Sequence, residues 1–462
     1  MAVKKLYFEA LYTGEDFISP AFVEIDPGGV IHSISPSTSN PDEFESVKGL
    51  ALPGFQNAHS HAFQYAMAGM AERCTGNDLS DSFWSWRQHM YRIALSISPD
   101  DLRAIAAMLY AEMVRQGYTH VAEFHYLHHD KNGQPYPNSA EMSHCLMEAA
   151  HIAGIDITLV PMYYKLGGFG KEAGKDQRRF ISPDTDAYFH LLEQAEKQLR
   201  NYPSFSMGMG VHSLRAASEA DIERIIQGNT EKRPFHIHIS EQQKEVEDCL
   251  KFYKARPVEF LINRYEVDSS FHLVHATHCT DEELGKISNS GAHVVLCPST
   301  EANLGDGIFP LKKFIELGGH WSIGTDSHVG LNYWEELRIL DYGQRLISHN
   351  RKSFLGNGRE TGGLYALRES TESGGRVMGK SESGLKVGSP LNAVVINSDD
   401  GLLASTSMLG KIDTMLYSGD ITNHLGTMVR GEWVVKENQH KNIEEIKKAF
   451  IKVIRKLEIR NQ

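Results

Sequence analysis

The chain has 462 residues, a formal net charge of −12 and 41% hydrophobic residues. This composition is typical of a globular protein, and a chain of this length can bury a large core. The acidic balance argues against a general nucleic-acid binder, which would present a basic face. The unusual count is that of histidine, with 23 residues, and it directs attention to metal chemistry.

Neither the first residues nor the cysteines indicate a secreted or membrane protein. The segment from Met1 to Tyr12 is broken by Glu9, and no signal-peptide core follows it. No stretch approaches the roughly 18 uninterrupted apolar residues that a membrane helix needs. The five cysteines, at 74, 145, 249, 279 and 297, never form a CxxC pair and are expected to be reduced thiols. The expected location is the cytoplasm, with no membrane partner.

The predicted elements begin as short strands and then alternate between strand and helix. Before residue 50, strands are expected at Tyr7–Leu11, Ala21–Ile25 and Val30–Ile34. From residue 51 onward, the pattern predicts eight strands separated by helical segments. These strands are Leu52–Ala58, His120–Tyr126, Ile155–Met162, Phe205–Val211, Phe235–Ile239, Phe271–His275, His293–Leu296 and Trp321–Gly324.

Eight alternating units over roughly 270 residues are what a (β/α)8 barrel requires. After about residue 380 the pattern returns to strands, at Ala393–Asn397, Thr414–Tyr417 and Met428–Lys436, before an amphipathic helix at Ile443–Leu457. We therefore predict an α/β fold with a TIM barrel over residues 51–379. A small flanking β-sandwich domain is predicted from both termini, residues 1–50 and 380–462.

A glycine-rich segment at 167–175 has a superficial likeness to a phosphate-binding loop. No Gly lies five residues before Gly174, and Asp176 stands where Ser or Thr would be needed. The segment is therefore interpreted as a mobile loop.

Histidines and one aspartate recur at the ends of the predicted barrel strands. The groups are His59 and His61 after the first strand, His236 and His238 in the fifth, His272, His275 and His278 at the sixth, and Asp326 and His328 after the eighth. Residues i and i+2 of a strand point the same way, and barrel active sites lie at the carboxyl ends of the strands. Three imidazoles and one carboxylate suit a catalytic zinc, which lowers the pKa of water enough to supply hydroxide.

This arrangement resembles the amidohydrolase superfamily. The resemblance implies metal ligands at His59, His61, His238 and Asp326, a proton-handling carboxyl at Glu241 and a hydroxide-orienting imidazole at His275. It also fits a flanking domain made from both termini. His236, His272, His278 and His328 are interpreted as packing or rim residues.

The fourth strand indicates how many metals the site holds. Binuclear members of the superfamily bridge two metals with a modified Lys there, whereas this chain has no Lys from Val211 to Ala216. The resemblance therefore implies a mononuclear site of the deaminase type, with one Zn²⁺ per chain.

Three longer strings resemble the formimidoylglutamate deiminases, the iminohydrolases of histidine degradation. They are NAHSHAFQ at 57–64, EFHYLHH at 123–129 and PSTEANLGDG at 298–307. The similarity covers essentially the whole chain and is more specific than the metal ligands alone. It implies hydrolysis of N-formimino-L-glutamate to N-formyl-L-glutamate and ammonia, by an enzyme that is expected to be a homodimer.

A dicarboxylate substrate needs local cations in a protein this acidic, and Arg binds carboxylates through paired hydrogen bonds. Arg87 lies on the long segment after the first strand, and Arg215 follows the fourth strand. The resemblance implies that both contact the glutamate part, together with Gln64, Tyr126 and His212. The sequence leaves open whether Glu301 and Asp306 touch the substrate or only shape their loop.

Two other functions fit parts of the pattern. A deaminase acting on a heterocycle such as guanine or a pterin would use the same metal site, but with stacking aromatics and amide groups in place of two arginines. A catalytically inactive barrel that serves as a binding module would lack a ligand or the proton-handling carboxyl, and the sequence lacks neither.

Overall fold

The computed structural model describes residues 3–70, 72, 83–354, 361–380 and 383–457. The strands are β1 Lys4–Tyr12, β2 Phe17–Ile18, β3 Ala21–Ile25, β4 Ile31–Ser35, β5 Glu45–Pro53, β6 Phe55–Ser60, β7 Tyr118–His125, β8 Asp156–Tyr163, β9 Leu166–Gly168, β10 Lys171–Glu172, β11 Ser206–Met207, β12 Met209–Ser213, β13 Phe235–Ile239, β14 Phe271–His275, β15 His293–Leu296, β16 His320–Ile323, β17 Ala393–Ile396, β18 His424–Val429, β19 Glu432–Lys436 and β20 Gln439–His440.

The helices surround the barrel and connect its strands. They are α1 Phe83–Ser96, α2 Pro99–Arg115, α3 Glu141–Ala153, α4 Thr185–Leu199, α5 Glu219–Gly228, α6 Gln243–Tyr253, α7 Pro257–Arg264, α8 Asp281–Ser290, α9 Pro298–Leu304, α10 Leu311–Glu316, α11 Tyr333–Ser348, α12 Gly362–Val377, α13 Gly401–Ala404, α14 Met408–Ser418 and α15 Ile443–Leu457. Among the described residues, no helix is long and apolar enough to cross a membrane.

Eight parallel strands form the barrel, in the spatial order β6, β7, β8, β12, β13, β14, β15 and β16. The first and last strands meet through a parallel bridge between Ser60 and Asp326. The backbone N–H groups of Thr325 and Asp326 both donate to the carbonyl of His59, at 3.1 and 3.0 Å. The predicted barrel is therefore confirmed, and its seam runs through the candidate metal ligands.

Gly324 makes this seam possible because it carries no side chain. A Cβ at position 324 would lie 2.6 Å from Cβ of His59 and 2.7 Å from its backbone nitrogen. Contacts this short would push the first and eighth strands apart. Close approach of two backbones is a common reason for glycine in a strand.

The flanking strands form one mixed sheet in the order β20, β19, β18, β17, β5, β1, β3 and β4, with β2 paired to β1. Strand β5 runs parallel to β1 and antiparallel to β17, so segments from both ends of the chain share one sheet. Val394 and Ile396 pack into the barrel-side core, whereas Ala393 and Val395 pack into a second core with Leu6. A flanking sheet domain built from both ends of the chain is thus confirmed. It is one continuous sheet with apolar residues on both faces, where the sequence predicted the two packed sheets of a sandwich.

Two predicted strands divide at a glycine. The segment Leu52–Ala58 is split at Gly54, so that β5 ends in the flanking sheet and β6 begins the barrel. The segment Phe205–Val211 is split at Gly208, where a Cβ would lie 2.8 Å from the carbonyl oxygen of Pro234. Apolar residues continue on both sides of each glycine. The hydrophobic pattern therefore predicts one strand where the structure has two.

Three further segments differ in secondary structure from what the sequence predicts. The predicted strand Thr414–Tyr417 lies within α14, because Ile412, Met415 and Leu416 are buried at helical spacing. The predicted strand Met428–Lys436 is the hairpin of β18 and β19. The predicted mobile loop at 167–175 contains a hairpin, β9 paired with β10.

The described cysteines are free thiols, as the sequence predicts. They are Cys145, Cys249, Cys279 and Cys297, and Cys74 lies outside the described residues.

Candidate metal centre and substrate pocket

Three imidazoles and one carboxylate converge at the carboxyl ends of β6, β13 and β16. Nε2 of His59 lies 3.1 Å from Nε2 of His61 and 3.1 Å from Nε2 of His238. Oδ1 of Asp326 lies 3.3 Å from Nε2 of His61 and 3.5 Å from Nε2 of His59. The structure therefore brings together the four residues that the resemblance implied as metal ligands.

The cluster has the donor chemistry and spacing of a metal site. Donor atoms around a tetrahedral ion with bonds of about 2.0 Å stand about 3.3 Å apart, close to the four separations given above. His238 groups with His59 and His275, with ligand atoms within 4.8 Å of one another, and Asp326 groups in the same way with His59 and His61. The Phe124 carbonyl accepts a hydrogen bond from Nδ1 of His61 at 2.8 Å, so the Nε2 lone pair faces the cluster. Burial lowers the pKa of His61 to about 3 and the pKa values of His59 and His238 well below the usual value. The imidazoles are therefore neutral, the form that binds metals, and the residues fit a metal ion.

Glu123, on β7, fixes the backbone on both sides of His61. Its Oε2 accepts a hydrogen bond from Oγ of Ser60 at 2.6 Å, and its Oε1 accepts one from the backbone N–H of Ala62 at 2.7 Å. Burial raises the pKa of Glu123 to about 8, although these hydrogen bonds act in the opposite direction. Glu123 lies in one of the motif strings, but its position in the sequence did not predict hydrogen bonds to the residues on either side of His61.

His275 stands beside the cluster at the end of β14, in the left-handed backbone region with φ of 71°. Its Nε2 lies 4.0 Å from Oδ2 of Asp326, and its Nδ1 lies 3.2 Å from Oε1 of Glu301. The backbone N–H of Cys297 donates to the same Glu301 oxygen at 2.9 Å. Burial lowers the pKa of His275, but the hydrogen bond to Glu301 and the nearby carboxylates outweigh it and raise the pKa to about 10. Glu301 therefore keeps a proton on Nδ1 and turns Nε2 toward the centre.

The metal cluster lines a cavity with about 520 Å³ of space, part of which is open solvent. Ten of the eleven residues predicted for the site line this cavity, and the eleventh, His59, lies beneath them with no exposed surface. The lining also includes side chains that the sequence did not single out: Trp86, Met90, Tyr91, Tyr164, Phe180 and Leu304. We call this space the inner cavity.

Arg215 enters the inner cavity from the segment after β12, and a buried carboxylate holds it. Oε2 of Glu245 lies 3.2 Å from Nη1 of Arg215 and accepts a hydrogen bond from the backbone N–H of Glu241 at 3.2 Å. Oε2 of Glu241 itself lies 3.8 Å from Nη2 of Arg215. Glu245 thus connects the predicted substrate-binding cation to the predicted proton carrier. Glu245 lies four residues beyond Glu241. Two carboxylates at this spacing are too common in sequences to indicate a functional site.

The other predicted substrate residues lie on the same wall. The guanidinium carbon of Arg87 is 5.3 Å from the ring centroid of Tyr91. Nε2 of Gln64 donates to the hydroxyl of Tyr126 at 3.0 Å, and the ring of His212 lies 5.2 Å from that of Tyr126. Burial lowers the pKa of His212 well below its usual value, so this imidazole is neutral.

The loop after α9 supports the site from outside the inner cavity. Oδ1 of Asp306 accepts a hydrogen bond from Nε2 of Gln242. Burial, followed by the negative charge of Glu241, raises the pKa of Asp306. Neither Asp306 nor Glu301 is among the described residues that line the inner cavity. Both therefore occupy supporting positions.

Four further histidines lie side by side on four adjacent strands of the barrel. His236, His272, His293 and His320 occupy paired positions on β13, β14, β15 and β16. Their ring centroids are separated by 5.0, 5.5 and 5.3 Å along the row. Burial lowers the pKa of His236 and of His293 to about 3. This arrangement agrees with the packing role expected for His236 and His272.

His328 and His278 lie at the rim. Nδ1 of His328 is 2.9 Å from Oγ1 of Thr325, and the residue is buried against the barrel seam. The backbone carbonyl of His278 accepts a hydrogen bond from Arg256. Neither histidine belongs to a described cluster of possible metal ligands, in agreement with their interpretation as rim residues.

Comparison with known proteins agrees with this geometry. The model of the amidohydrolase family matches residues 50–434. The formimidoylglutamate deiminase of Pseudomonas aeruginosa is 42% identical over 435 residues, which cover 94% of this chain and 95% of that protein. The crystal structure of an amidohydrolase from Brucella melitensis superposes with a TM-score of 0.93 at 36% identity, covering 98% of this chain and 99% of that one. An adenosine deaminase from Xanthomonas campestris with bound zinc has a TM-score of 0.81 at 19% identity, over 99% and 98% of the two chains, and shares the fold.

The chain belongs to the amidohydrolase family, because the family model covers most of its length. The 42% identical relative also confirms the resemblance to the formimidoylglutamate deiminases that was drawn from the three motif strings. The protein is accordingly a hydrolase that acts on C–N bonds.

Proposed function

We propose that the protein hydrolyses the formimidoyl group of N-formimino-L-glutamate, giving N-formyl-L-glutamate and ammonia, as a step of histidine degradation. The observation that carries the proposal is one cavity with a metal-type cluster at its floor and two guanidinium groups, Arg87 and Arg215, in its wall. The cluster suits hydrolysis of an amidine, and the guanidinium groups suit two carboxylates. The relative from Pseudomonas aeruginosa carries the corresponding name.

The proposed metal is zinc, one ion per chain, held by His59, His61, His238 and Asp326. When bound, it would supply hydroxide at neutral pH by lowering the pKa of water. Imidazole also suits iron, so metal analysis of the purified protein tests the choice. About one zinc per chain is expected, and a full complement of iron would overturn zinc as the metal while leaving the ligand set intact.

The side chains of the inner cavity handle protons and position the reacting atoms. Asp326 accepts the proton that water gives up, and His275, whose Nε2 lies 4.0 Å from Oδ2 of Asp326, orients the oxygen nucleophile. Attack on the formimidoyl carbon gives a tetrahedral carbon on the substrate. Glu241 carries both protons of the attacking water, one after the other, from Asp326 to the terminal nitrogen. The C–N bond then breaks, ammonia leaves, and the C=O bond of the formyl group forms.

Recognition of the glutamate part is assigned to five side chains. Arg215 and Arg87 each bind one carboxylate, and Gln64, Tyr126 and His212 contact the same part of the substrate. Arg215 is suited to this role because Glu245 holds Nη1, while Nη2 lies 3.8 Å from Glu241, the proposed proton carrier. Bidentate pairing adds geometric selectivity to charge attraction.

A deaminase of heterocycles is the second candidate, and the aromatic lining favours it. Trp86, Tyr91, Tyr164 and Phe180 present rings to the inner cavity that could stack on a planar base. Against this, a neutral base carries no carboxylate for Arg87 or Arg215 to bind, so the two guanidinium groups would add nothing to its recognition.

Ammonia release from N-formimino-L-glutamate, guanine and a pterin separates the candidates. We expect kcat/KM of the metal-loaded protein to be at least about 10³-fold higher for N-formimino-L-glutamate. Faster release from guanine or the pterin would overturn the proposal in favour of the second candidate. No release from any of the three by fully metal-loaded protein would refute the substrate assignment and leave the fold untouched.

We further propose a cytoplasmic homodimer, on the strength of the family resemblance and the reduced cysteines. Light scattering coupled to size-exclusion chromatography tests the oligomeric state, and a mass of one chain in solution would refute the dimer.

A further inference from the structure

A second, larger cavity opens directly beside the inner cavity. It contains about 1090 Å³ of space, part of which is open solvent, and lies between the β9–β10 hairpin and helix α6. Arg87 and Arg215 line both cavities, so the two spaces meet at these guanidinium groups. We call the second space the outer cavity.

The outer cavity carries an excess of positive charge. Its cationic lining residues are Arg87, Lys171, Arg215, Lys244 and Lys251, and its carboxylates are Glu245 and Asp248. Glu245 pairs with Arg215 at 3.2 Å, and Asp248 pairs with Lys244 at 2.9 Å. Cations therefore outnumber carboxylates by three around this space, in a chain whose net charge is −12.

The hairpin that carries Lys171 is held in place by aromatic packing. The ring of Phe169 lies 5.9 Å from that of Phe252 and 5.7 Å from that of Tyr253. A Cβ at Gly170 would lie 2.7 Å from the ring of Phe252, which shows how closely the hairpin turn approaches α6. Lys171 therefore sits at a fixed place on the rim, opposite Lys244 and Lys251 on α6.

We propose that the outer cavity is the entrance for a dianionic ligand, and that Lys171, Lys244 and Lys251 concentrate that ligand at the two arginines. The substrate class rests on the proposed function, because N-formimino-L-glutamate carries two carboxylates. A cleft lined by charges of one sign focuses the field and raises the local concentration of counter-charged ligands. The protein as a whole repels a dianion, so the positive rim offsets that repulsion at this entrance.

The effect of these lysines differs from that of the arginines. They are exposed, with 55% of the Lys244 side chain and 74% of the Lys251 side chain accessible, and they lie outside the inner cavity. Their attraction acts through solvent over a distance comparable to the Debye length, about 8 Å at physiological ionic strength, and so it weakens as salt is added. Removing them should change capture of the ligand and leave the chemical step unchanged.

The test compares two triple variants with the same change of net charge. Lys171→Gln/Lys244→Gln/Lys251→Gln removes the rim, and Lys447→Gln/Lys448→Gln/Lys452→Gln removes three exposed lysines of α15 that line neither cavity. At low ionic strength we expect the rim variant to lose about tenfold in kcat/KM and the α15 variant less than twofold. The kcat of both should stay within about twofold of the parent, and the salt dependence of kcat/KM should flatten only in the rim variant.

A binding measurement separates failure of the entrance from failure of the proposed function. Calorimetry with glutarate, a dianion with no formimidoyl group, reports capture without turnover. Weaker glutarate binding in the rim variant alone supports the entrance even if the parent protein releases no ammonia from N-formimino-L-glutamate. Equal glutarate affinity and equal salt dependence in the two variants would overturn the entrance, whatever the substrate proves to be.

Discussion

Glu301 lies 3.2 Å from Nδ1 of His275, and both side chains are almost completely buried. Replacing Glu301 by Gln keeps the shape but removes the charge that holds the proton on His275. We expect turnover to fall by about 10- to 100-fold at unchanged metal content, the range typical of residues that orient active-site groups. Steady-state kinetics on metal-quantified protein measures this effect.

The matched control is Glu316→Gln, an exposed carboxylate at the end of α10. It should leave turnover and metal content as in the parent. If Glu301→Gln retains full turnover across the pH range, the orienting role of Glu301 is wrong.

Arg215 should not tolerate replacement by Lys. Its guanidinium reaches Glu245 through Nη1 while Nη2 lies 3.8 Å from Glu241, and a single ammonium cannot serve both directions. We expect KM to rise about 10- to 100-fold, the loss of one hydrogen bond between charged groups, with a smaller change in kcat. Arg264→Lys, on the exposed surface of α7, is the control and should leave KM unchanged. A KM for Arg215→Lys equal to that of the parent would contradict the assignment.

Removing the metal should abolish ammonia release and lower the thermal midpoint. The ligands lie on the first, fifth and eighth barrel strands, so a bound ion stabilises the folded state by linkage. We expect chelator-treated protein to unfold about 5 °C or more below the loaded protein and to recover activity with one equivalent of zinc. Undiminished turnover in protein shown by elemental analysis to contain no metal would rule out a metal-dependent reaction.

Two glycine substitutions should act in opposite directions. Gly324→Ala places a methyl group 2.6 Å from Cβ of His59 and should destabilise both the seam and the metal site. Gly285→Ala, within α8, meets nothing within 4 Å and should stabilise the protein by about 0.5–1 kcal/mol. Thermal midpoints and metal content of the two variants measure the contrast. Equal metal content in Gly324→Ala and the parent would mean that the seam tolerates the methyl group.

His424 should make the fold sensitive to acid. Burial lowers its pKa to about 4, and its Nε2 accepts a hydrogen bond from Nε1 of Trp334 at 3.1 Å. The folded state holds the neutral imidazole, so its contribution to stability is complete above about pH 6.5 and is lost as the pH falls toward 4. Between pH 7 and pH 5 this residue should lower the free energy of unfolding by about 2 kcal/mol.

His424→Gln tests this, because a glutamine oxygen can still accept the Trp334 hydrogen bond. Denaturant unfolding at pH 7 and pH 5 should show a smaller acid loss in the variant than in the parent. His190→Gln, on the exposed face of α4, should retain the acid loss of the parent. An identical acid loss in all three proteins would show that other groups account for it.

The strand-end pattern was predictable because strand geometry is regular. Residues two apart on β6 face the same way, and carboxyl ends of parallel strands meet at one rim, so His59, His61, His238 and Asp326 could be grouped from spacing and resemblance. The distances between the ligand atoms depend on how the barrel closes, through the bridge from Ser60 to Asp326. Sequence periodicity does not predict that bridge.

Other features depend on tertiary packing and gave no usable signal. Glu245 and Glu123 are ordinary carboxylates in the sequence, and their roles arise only when Arg215 and Ser60 are brought beside them. The segment Thr414–Tyr417 has strand-forming residues, yet burial of one helical face overrides that preference. The chemical roles assigned to the site residues stay predictions until the variants are measured.

Closure of the barrel at its seam determines the order in which the metal ligands come together. His59 and His61 leave the ribosome long before Asp326, and the final ligand is in place only when the eighth strand has paired with the first. An ion that needs all four groups would therefore be captured last, after the barrel has closed. Metal uptake would then mark closure of the barrel, while strands β17 to β20 of the flanking sheet still have to be added.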